Sequence, residues 1–302
     1  MTEDPTMRCG FVAVFGPPNA GKSTLVNAIV GAKVSIVTHK VQTTRGRVMG
    51  IRNIEGDQLV FVDTPGIFKP KKRLERALVD AAWSGADDAD MTLLMVDAAK
   101  GMNKELVSIL ERLKARNRKT LVAINKIDMV AKNDLFPLGA AIDASGVADE
   151  IFYISALKGE GVDGLVATLR SRISDGPWMF PDDQVSDLPL RQMASEITSE
   201  KLFLRGHQEL PYELSVETEM WTEIPEEKAV RIDQVIYVAR DGHKPILLGK
   251  GGRTIKDVGI AARKELEDIL EMKVHLFLHV KVRTNWLNDP ARYREMGLEF
   301  PK

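Results

Sequence analysis

The sequence predicts an α/β domain with a mostly parallel sheet covered on both faces, followed by a smaller α+β domain. Three observations carry that prediction. Short apolar runs alternate with helical patterns from residue 11 to about residue 175. Each of those runs ends in a polar signature, and beyond residue 176 the alternation gives way to a different order of elements. The length of 302 residues leaves room for about two domains.

The first run is Phe11–Phe15, followed by Gly16-Pro17-Pro18-Asn19-Ala20-Gly21-Lys22-Ser23 and then by Thr24–Val30. That order reads as strand, glycine-rich loop and helix, the setting in which a Gly-x-x-x-x-Gly-Lys-Ser segment cradles phosphate. Glycine at both ends lets the backbone curl so that its N–H groups point inward, and the new helix adds its positive N-terminal end. Lys22 then reaches the β- and γ-phosphates, and the Ser23 hydroxyl holds Mg²⁺. An ordinary glycine-rich turn needs neither the strand before it nor the helix after it.

Arg47–Ile54 alternates in character, and a turn at 53–57 joins it to Leu59–Val62, so these two read as a hairpin with the first strand antiparallel at the sheet edge. Met91–Val96, Leu121–Ile124 and Ile151–Ile154 complete the sheet. Runs apolar on both faces and separated by helices indicate parallel strands buried on both sides. Their ends carry Gly16 onward, Asp63-Thr64-Pro65-Gly66, Asp97, Asn125-Lys126-Ile127-Asp128 and Ser155-Ala156-Leu157. Open α/β sheets bind ligands at the carboxyl ends of their strands, so these signatures converge on one site.

Pro177–Gln184 has two prolines, an acidic pair and no period, and reads as a linker. Leu190–Gln208 reads as a helix, and Tyr212–Trp221 and Val230–Val238 as strands. Helical segments at Ile246–Leu248 and Ile255–Met272 flank Gly249-Lys250-Gly251-Gly252, Val274–Val280 is a strand, and Trp286–Met296 a last helix. The expected organisation is a flexible N-terminus at 1–8, a first domain at 9–176, a linker at 177–189 and a second domain at 190–302 ending in a helix.

Composition excludes several classes. The chain is 44% hydrophobic and 28% charged, with a net charge of -1. No apolar run approaches the roughly 18 residues of a membrane helix. Met1–Arg8 lacks the apolar segment of a signal peptide. The single cysteine, Cys9, forms no internal disulfide and offers no metal cluster. His275 and His279 share a strand face but have no third ligand near them in sequence. A cytoplasmic location, with an optional peripheral contact at the inner face of the cell membrane, and a monomeric state are the expectations.

The strand ends specify chemistry. Asp63 is placed to hold Mg²⁺ through its water shell, and Gly66 leaves room for a backbone N–H to approach a γ-phosphate. Guanine presents two adjacent donors, N1–H and the 2-amino group, which one carboxylate accepts together. Asp128 therefore favours GTP over ATP, because a wrong base leaves a buried carboxylate unpaired. Ser155-Ala156 offers a backbone N–H to guanine O6.

These motifs, in this order and with a threonine-bearing loop between the first two, resemble the translation-factor-type small GTPases. Gln42-Thr43-Thr44-Arg45 and the Gly-x-Pro-Asn form of the P-loop are similar to the Era family of bacterial GTPases. The resemblance implies that GTP or GDP is bound by Gly16–Thr24, Thr43, Thr44, Asp63–Gly66, Asn125, Lys126, Asp128 and Ser155–Leu157. It implies that Thr44, or Thr43 beside it, joins Ser23 and Asp63 around Mg²⁺ only when the γ-phosphate is present, and that Asn19 holds a potassium ion. Lys22, Ser23, Thr44, Asp63 and Gly66 form the implied catalytic set. Ile67 stands where Ras-like proteins carry the glutamine that orients water. The resemblance therefore implies slow intrinsic hydrolysis helped by the cation near Asn19 or by a partner. Lys69–Arg73 reads equally as part of the second switch or as a solvated face.

In the second domain, a Gly-x-x-Gly loop between two helices is the clamp with which KH domains grip single-stranded RNA. Arg240–Lys264 holds seven Lys/Arg against two Asp/Glu, a local charge of +5 on a chain of net charge -1. That is the footprint of a nucleic-acid face. The expected RNA contacts are Lys244, Gly249, Lys250, Gly251, Gly252, Arg253, Ile255 and Lys256. The order of elements resembles the second KH topology, and its place after a GTPase domain is again similar to the Era family. The resemblance implies binding to the 3′ end of 16S rRNA and a role in biogenesis of the 30S subunit. The alternative from another class is an RNA chaperone or assembly scaffold in which bound GTP is structural.

Overall fold

The computed structural model describes residues 7–37, 48–70, 73–205, 214–284, 290, 293 and 298–301. They fall into two units, the first made of residues 1–35, 44–187 and 293–302, the second of residues 36–43 and 188–292.

The first unit runs β1 (Arg8–Phe15), α1 (Lys22–Val30), β2 (Val48–Ile54), β3 (Asp57–Asp63), α2 (Arg73–Asp88), β4 (Met91–Asp97), α3 (Lys104–Ala115), β5 (Thr120–Asn125), α4 (Lys132–Ala144), β6 (Ala148–Tyr153), α5 (Val162–Arg172) and β7 (Ser174–Asp175). Its sheet order is β2-β3-β1-β4-β5-β6, with β7 paired to the start of β1. All neighbours along that order are parallel except the β2–β3 hairpin, which closes through Glu55 and Gly56, both at positive φ. Alternation along each strand divides the core in two. Val12, Val14, Leu93 and Met95 face one side with Leu25 of α1 and Leu165 of α5. Ala13, Phe15, Leu94 and Val96 face the other with Trp83 of α2 and Ile109 of α3. Each buried Val, Leu, Ile, Phe or Met among them contributes about 1.5–3 kcal/mol.

The segment read as a linker belongs to this unit. Trp178 donates its indole N–H to Gly56 O at 2.9 Å, and the Met179 and Phe180 N–H groups donate to Gln58 Oε1 at 2.8 and 3.0 Å. Gln58 returns its amide N–H to Phe180 O at 2.9 Å and is itself fully buried. Farther on, Ile51 donates to Val185 O at 2.9 Å, and Gly50 bridges to Ser186. The segment thus covers the edge of β2, whose backbone groups need partners. The change of unit falls between Asp187 and Leu188, which corrects the expected boundaries of 177–189. The end of the chain departs too. Tyr293 is fully buried in the first unit, edge-on to Phe300 at 4.8 Å, with the Arg73 guanidinium 5.0 Å above the Phe300 ring. Arg8, counted with the flexible N-terminus, begins β1 and pairs with buried Asp57 at 2.7 Å.

The second unit runs α6 (Leu190–Arg205), β8 (Leu214–Ile224), β9 (Ala229–Val238), α7 (His243–Leu248), α8 (Arg253–Leu270) and β10 (Lys273–Val282). This is the helix–strand–strand–helix–helix–strand order expected. Its sheet order is β10-β9-β8, with β8 and β9 antiparallel and β9 and β10 parallel. The core sets Leu202, Phe203, Leu214, Ile236, Leu247 and Val258 in one cluster and Ala194, Ile197, Val230, Ala262, Leu266 and Val274 in another. Buried Gln234 is satisfied by accepting from Thr198 Oγ1 at 2.6 Å and donating to Thr218 Oγ1 at 3.2 Å. The expected last helix at 286–296 falls largely outside the described residues. Among the described residues, no helix is long and apolar enough to cross a membrane.

Candidate active site and nucleic-acid interface

Because β1, β3, β4 and β5 are parallel, their carboxyl ends, Phe15, Asp63, Asp97 and Asn125, share one edge of the sheet. The Gly16–Ser23 loop lies along that edge, and the Ile67 N–H closes on Gly16 O at 2.9 Å. Gly21 has φ +95°, and a Cβ there would run into the Asn125 amide, so the position requires glycine. Asn125 donates to Ala20 O at 2.8 Å and accepts from the Ala156 N–H at 2.9 Å. Its amide thus braces the P-loop against Ser155-Ala156.

Lys22 is buried, its ammonium 3.2 Å from Pro17 O and 3.4 Å from Gly16 O. Burial pulls its pKa down to about 8, Asp63 opposing the shift and Lys100 adding to it. The Ser23 hydroxyl donates to Asp63 Oδ2 at 2.6 Å, which brings together two hard oxygen donors of the kind Mg²⁺ prefers. These residues fit the ion, which when bound neutralises charge on phosphate oxygens. Thr64, included in the expected binding set, is fully buried and donates to Val14 O at 2.9 Å, so its side chain braces a strand. Ile67 is 6% exposed, its side chain in the core cluster that holds Phe15 and Trp83, while only its N–H is shown to meet the loop.

On the base side, the Ser155 hydroxyl holds the Asp128 carboxyl below its ordinary pKa, against the pull of partial burial, and the Lys158 ammonium is 3.8 Å away. Lys126 takes a left-handed backbone, φ 66°, and its ammonium meets Asp97 Oδ2 at 2.6 Å. Leu157 is 81% exposed, an apolar side chain beside that edge. Asp97 had been visible only as one polar strand end among five. Asn27 carried no sequence signal. It accepts from the Val34 and Ser35 N–H groups at 3.0 and 2.9 Å and donates to Ser35 O at 2.7 Å, fixing the start of the stretch that leads to Thr43 and Thr44. Both threonines lie outside the described residues.

In the second unit, α7 ends at Leu248 and α8 begins at Arg253, with Gly249, Gly251 and Gly252 all at positive φ between them. A Cβ on Gly249 would strike the Thr254 side chain, whereas Gly251 and Gly252 open onto free space. The loop therefore presents bare backbone at a helix N-terminus, ringed by exposed Lys244, Lys250, Arg253 and Lys256. Ile255, expected to touch RNA, is half-buried against the core cluster behind the loop.

The sequence matches a family model described as 50S ribosome-binding GTPase over residues 11–126 and a KH-domain model over residues 209–287. It is 57% identical to GTPase Era of Agrobacterium fabrum, over 98% of this chain and 93% of that protein. It is 58% identical to GTPase Era of Dinoroseobacter shibae, over 99% of this chain and 98% of that protein. The chain belongs to the Era family of GTPases. Two solved structures match it at a TM-score of 0.91 and 39% identity, covering 96% of this chain and 99% of theirs. One is Era in complex with MgGDPNP and nucleotides 1506–1542 of 16S ribosomal RNA, the other an Aquifex aeolicus Era variant bound to GDP·AlF4⁻. The first unit is thus a GTPase domain with a P-loop, and the second a KH domain.

Proposed function

We propose that this member of the Era family couples GTP hydrolysis to capture of the 3′ end of 16S rRNA during assembly of the 30S subunit. One observation supports this above the others: the Ser23–Asp63 pair at 2.6 Å beside buried Lys22 occurs in the same chain as the bare Gly249–Gly252 loop with its ring of cations. Lys22 and the P-loop N–H groups bind the polyphosphate, and Asp128 selects guanine. Ser23 and Asp63 hold Mg²⁺, which supplies positive charge to the phosphate oxygens. Thr44, or Thr43, joins them when the γ-phosphate is present and is released after hydrolysis. Asn19, at φ 62°, offers its side-chain oxygen to K⁺. Lys244, Lys250, Arg253 and Lys256 hold RNA phosphates, with the backbone of Gly249–Gly252 in close approach. The protein acts as a monomer in the cytoplasm, with an optional peripheral contact at the membrane.

The test is GTP turnover in Mg²⁺ with K⁺ or with Na⁺ in its place, each with and without an RNA matching the 3′ end of 16S rRNA. Stimulation by both K⁺ and RNA is the expected result. Tight RNA binding without any change in turnover means that the two activities are uncoupled and returns the chain to the scaffold reading.

A further inference from the structure

Lys100 belongs to none of the nucleotide-binding motifs. It follows β4 in the turn Ala98-Ala99-Lys100-Gly101, which is closed by the Gly101 N–H donating to Ala98 O at 3.2 Å. Asp97 caps the same turn by accepting the Ala99 N–H at 3.1 Å. From that rigid base the exposed side chain reaches across to the P-loop, where its ammonium lies 3.5 Å from the carbonyl oxygen of Pro18. The contact is at the long end of the hydrogen-bonding range, so little is lost when the ammonium turns to an anion.

Pro18 is the part of the P-loop on which the Asp-x-x-Gly turn closes. Its Cγ and Cα stand 2.9 and 3.0 Å from the point a Gly66 Cβ would occupy. Lys100 therefore meets the same P-loop residue that packs against Gly66, the glycine whose turn is expected at the γ-phosphate. It is also close enough to repel buried Lys22. Lys22 thus has Asp63 as a counter-charge and Lys100 as a like charge, a repulsion that a bound polyanion would offset. The position used for a water-orienting glutamine elsewhere is Ile67, which faces the core and meets no developing charge.

We propose that Lys100 is a further catalytic residue for GTP hydrolysis, a cation supplied by the chain itself that faces the γ-phosphoryl group and the β–γ bridge. In the reaction the oxygen of water bonds to the γ-phosphorus while the bond from that phosphorus to the bridging oxygen breaks. The bond's electron pair leaves with GDP, and the products are GDP, phosphate and one proton released to water. Negative charge grows on the bridging oxygen, and the Lys100 side chain stabilises it more in the transition state than in the ground state.

The experiment uses the full chain with Lys100→Met and Lys100→Arg, in Mg²⁺ and K⁺. Single-turnover and steady-state hydrolysis are measured together with affinities for GDP and for GDP·AlF4⁻. The expected result for Lys100→Met is a fall in kcat of about 10- to 100-fold with KM and GDP affinity held within about twofold. Affinity for GDP·AlF4⁻ falls by the same factor as kcat, and Lys100→Arg recovers most of both. An unchanged kcat overturns the proposal. So does a parallel loss of GTP and GDP affinity at constant kcat, which would make Lys100 a prop for the P-loop or a ground-state phosphate contact.

Discussion

A lysine sealed from water loses its proton more readily than one in solvent, and Lys22 shows what that means for a phosphate site. Its pKa falls from 10.5 to about 8, burial being the largest cause. Between those two values the unfolded chain binds more protons than the folded one, so the stability of the nucleotide-free unit rises with pH across that window. Below about pH 8 the full cost of the buried ammonium is carried, on the order of 3 kcal/mol. A bound polyphosphate removes the cost. Binding of MgGDP near pH 8.5 should therefore take up a proton, and affinity should decline as pH rises above 8. Calorimetry in buffers of different ionisation enthalpy measures the uptake, and a value of zero would uncouple Lys22 from the phosphates. Asp128, whose pKa is lowered first by the Ser155 hydroxyl, is ionised at neutral pH, as its proposed role of accepting both guanine donors requires. Asp128→Asn replaces one acceptor with a donor, so guanine nucleotides should lose about 10²-fold or more in affinity and xanthine nucleotides should gain. Competition binding of GDP against XDP reads the switch directly.

β1, β3, β4 and β5 were legible because each holds a continuous apolar run that can exist only with both faces covered. The segment at 178–187 was not. It is held by its own backbone and by scattered side chains, Gln58, Asn53, Trp178 and Asp187 among them, none of which produces a period. Gln58, fully buried, makes that attachment, accepting from two N–H groups and donating to Phe180 O. Gln58→Leu would leave those groups unsatisfied at a cost of about 2–4 kcal/mol. Hydrogen exchange at Met179 and Phe180 should then accelerate sharply while β1 and β4 stay protected. Uniform acceleration throughout the unit would show instead that the segment unfolds only with the sheet. The Gly249–Gly252 loop was legible for the opposite reason: three left-handed backbone positions in one short loop leave glycine as the favoured residue, and the composition records it.

At the scale of the molecule, the division into units does not follow the chain in order. Ile36 and Val37 belong to the second unit although they lie between α1 and β2 in sequence. Ile36 is 5% exposed in the cluster with Leu202, Phe203 and Val258, and the Val37 N–H donates to Glu200 Oε1 at 2.8 Å. Ile36→Ala should cost the second unit about 2–4 kcal/mol in a denaturant melt while GDP affinity holds, and a residue 188–292 fragment should show a similar deficit. An unaltered melt would mean that the cluster closes without Ile36. The sequence by itself determined the glycine-rich loop between β1 and α1, the polar strand ends, the parallel sheet and the glycine turn before α8, because each is recorded in a local run or spacing. Only the tertiary structure decided that Asn125 braces the P-loop, that Asp97 holds Lys126, that Lys100 reaches Pro18 and that Ile36 completes a core far from it in sequence. Those roles depend on distances between strand ends and helices, which are set when layers pack and leave no pattern in the chain.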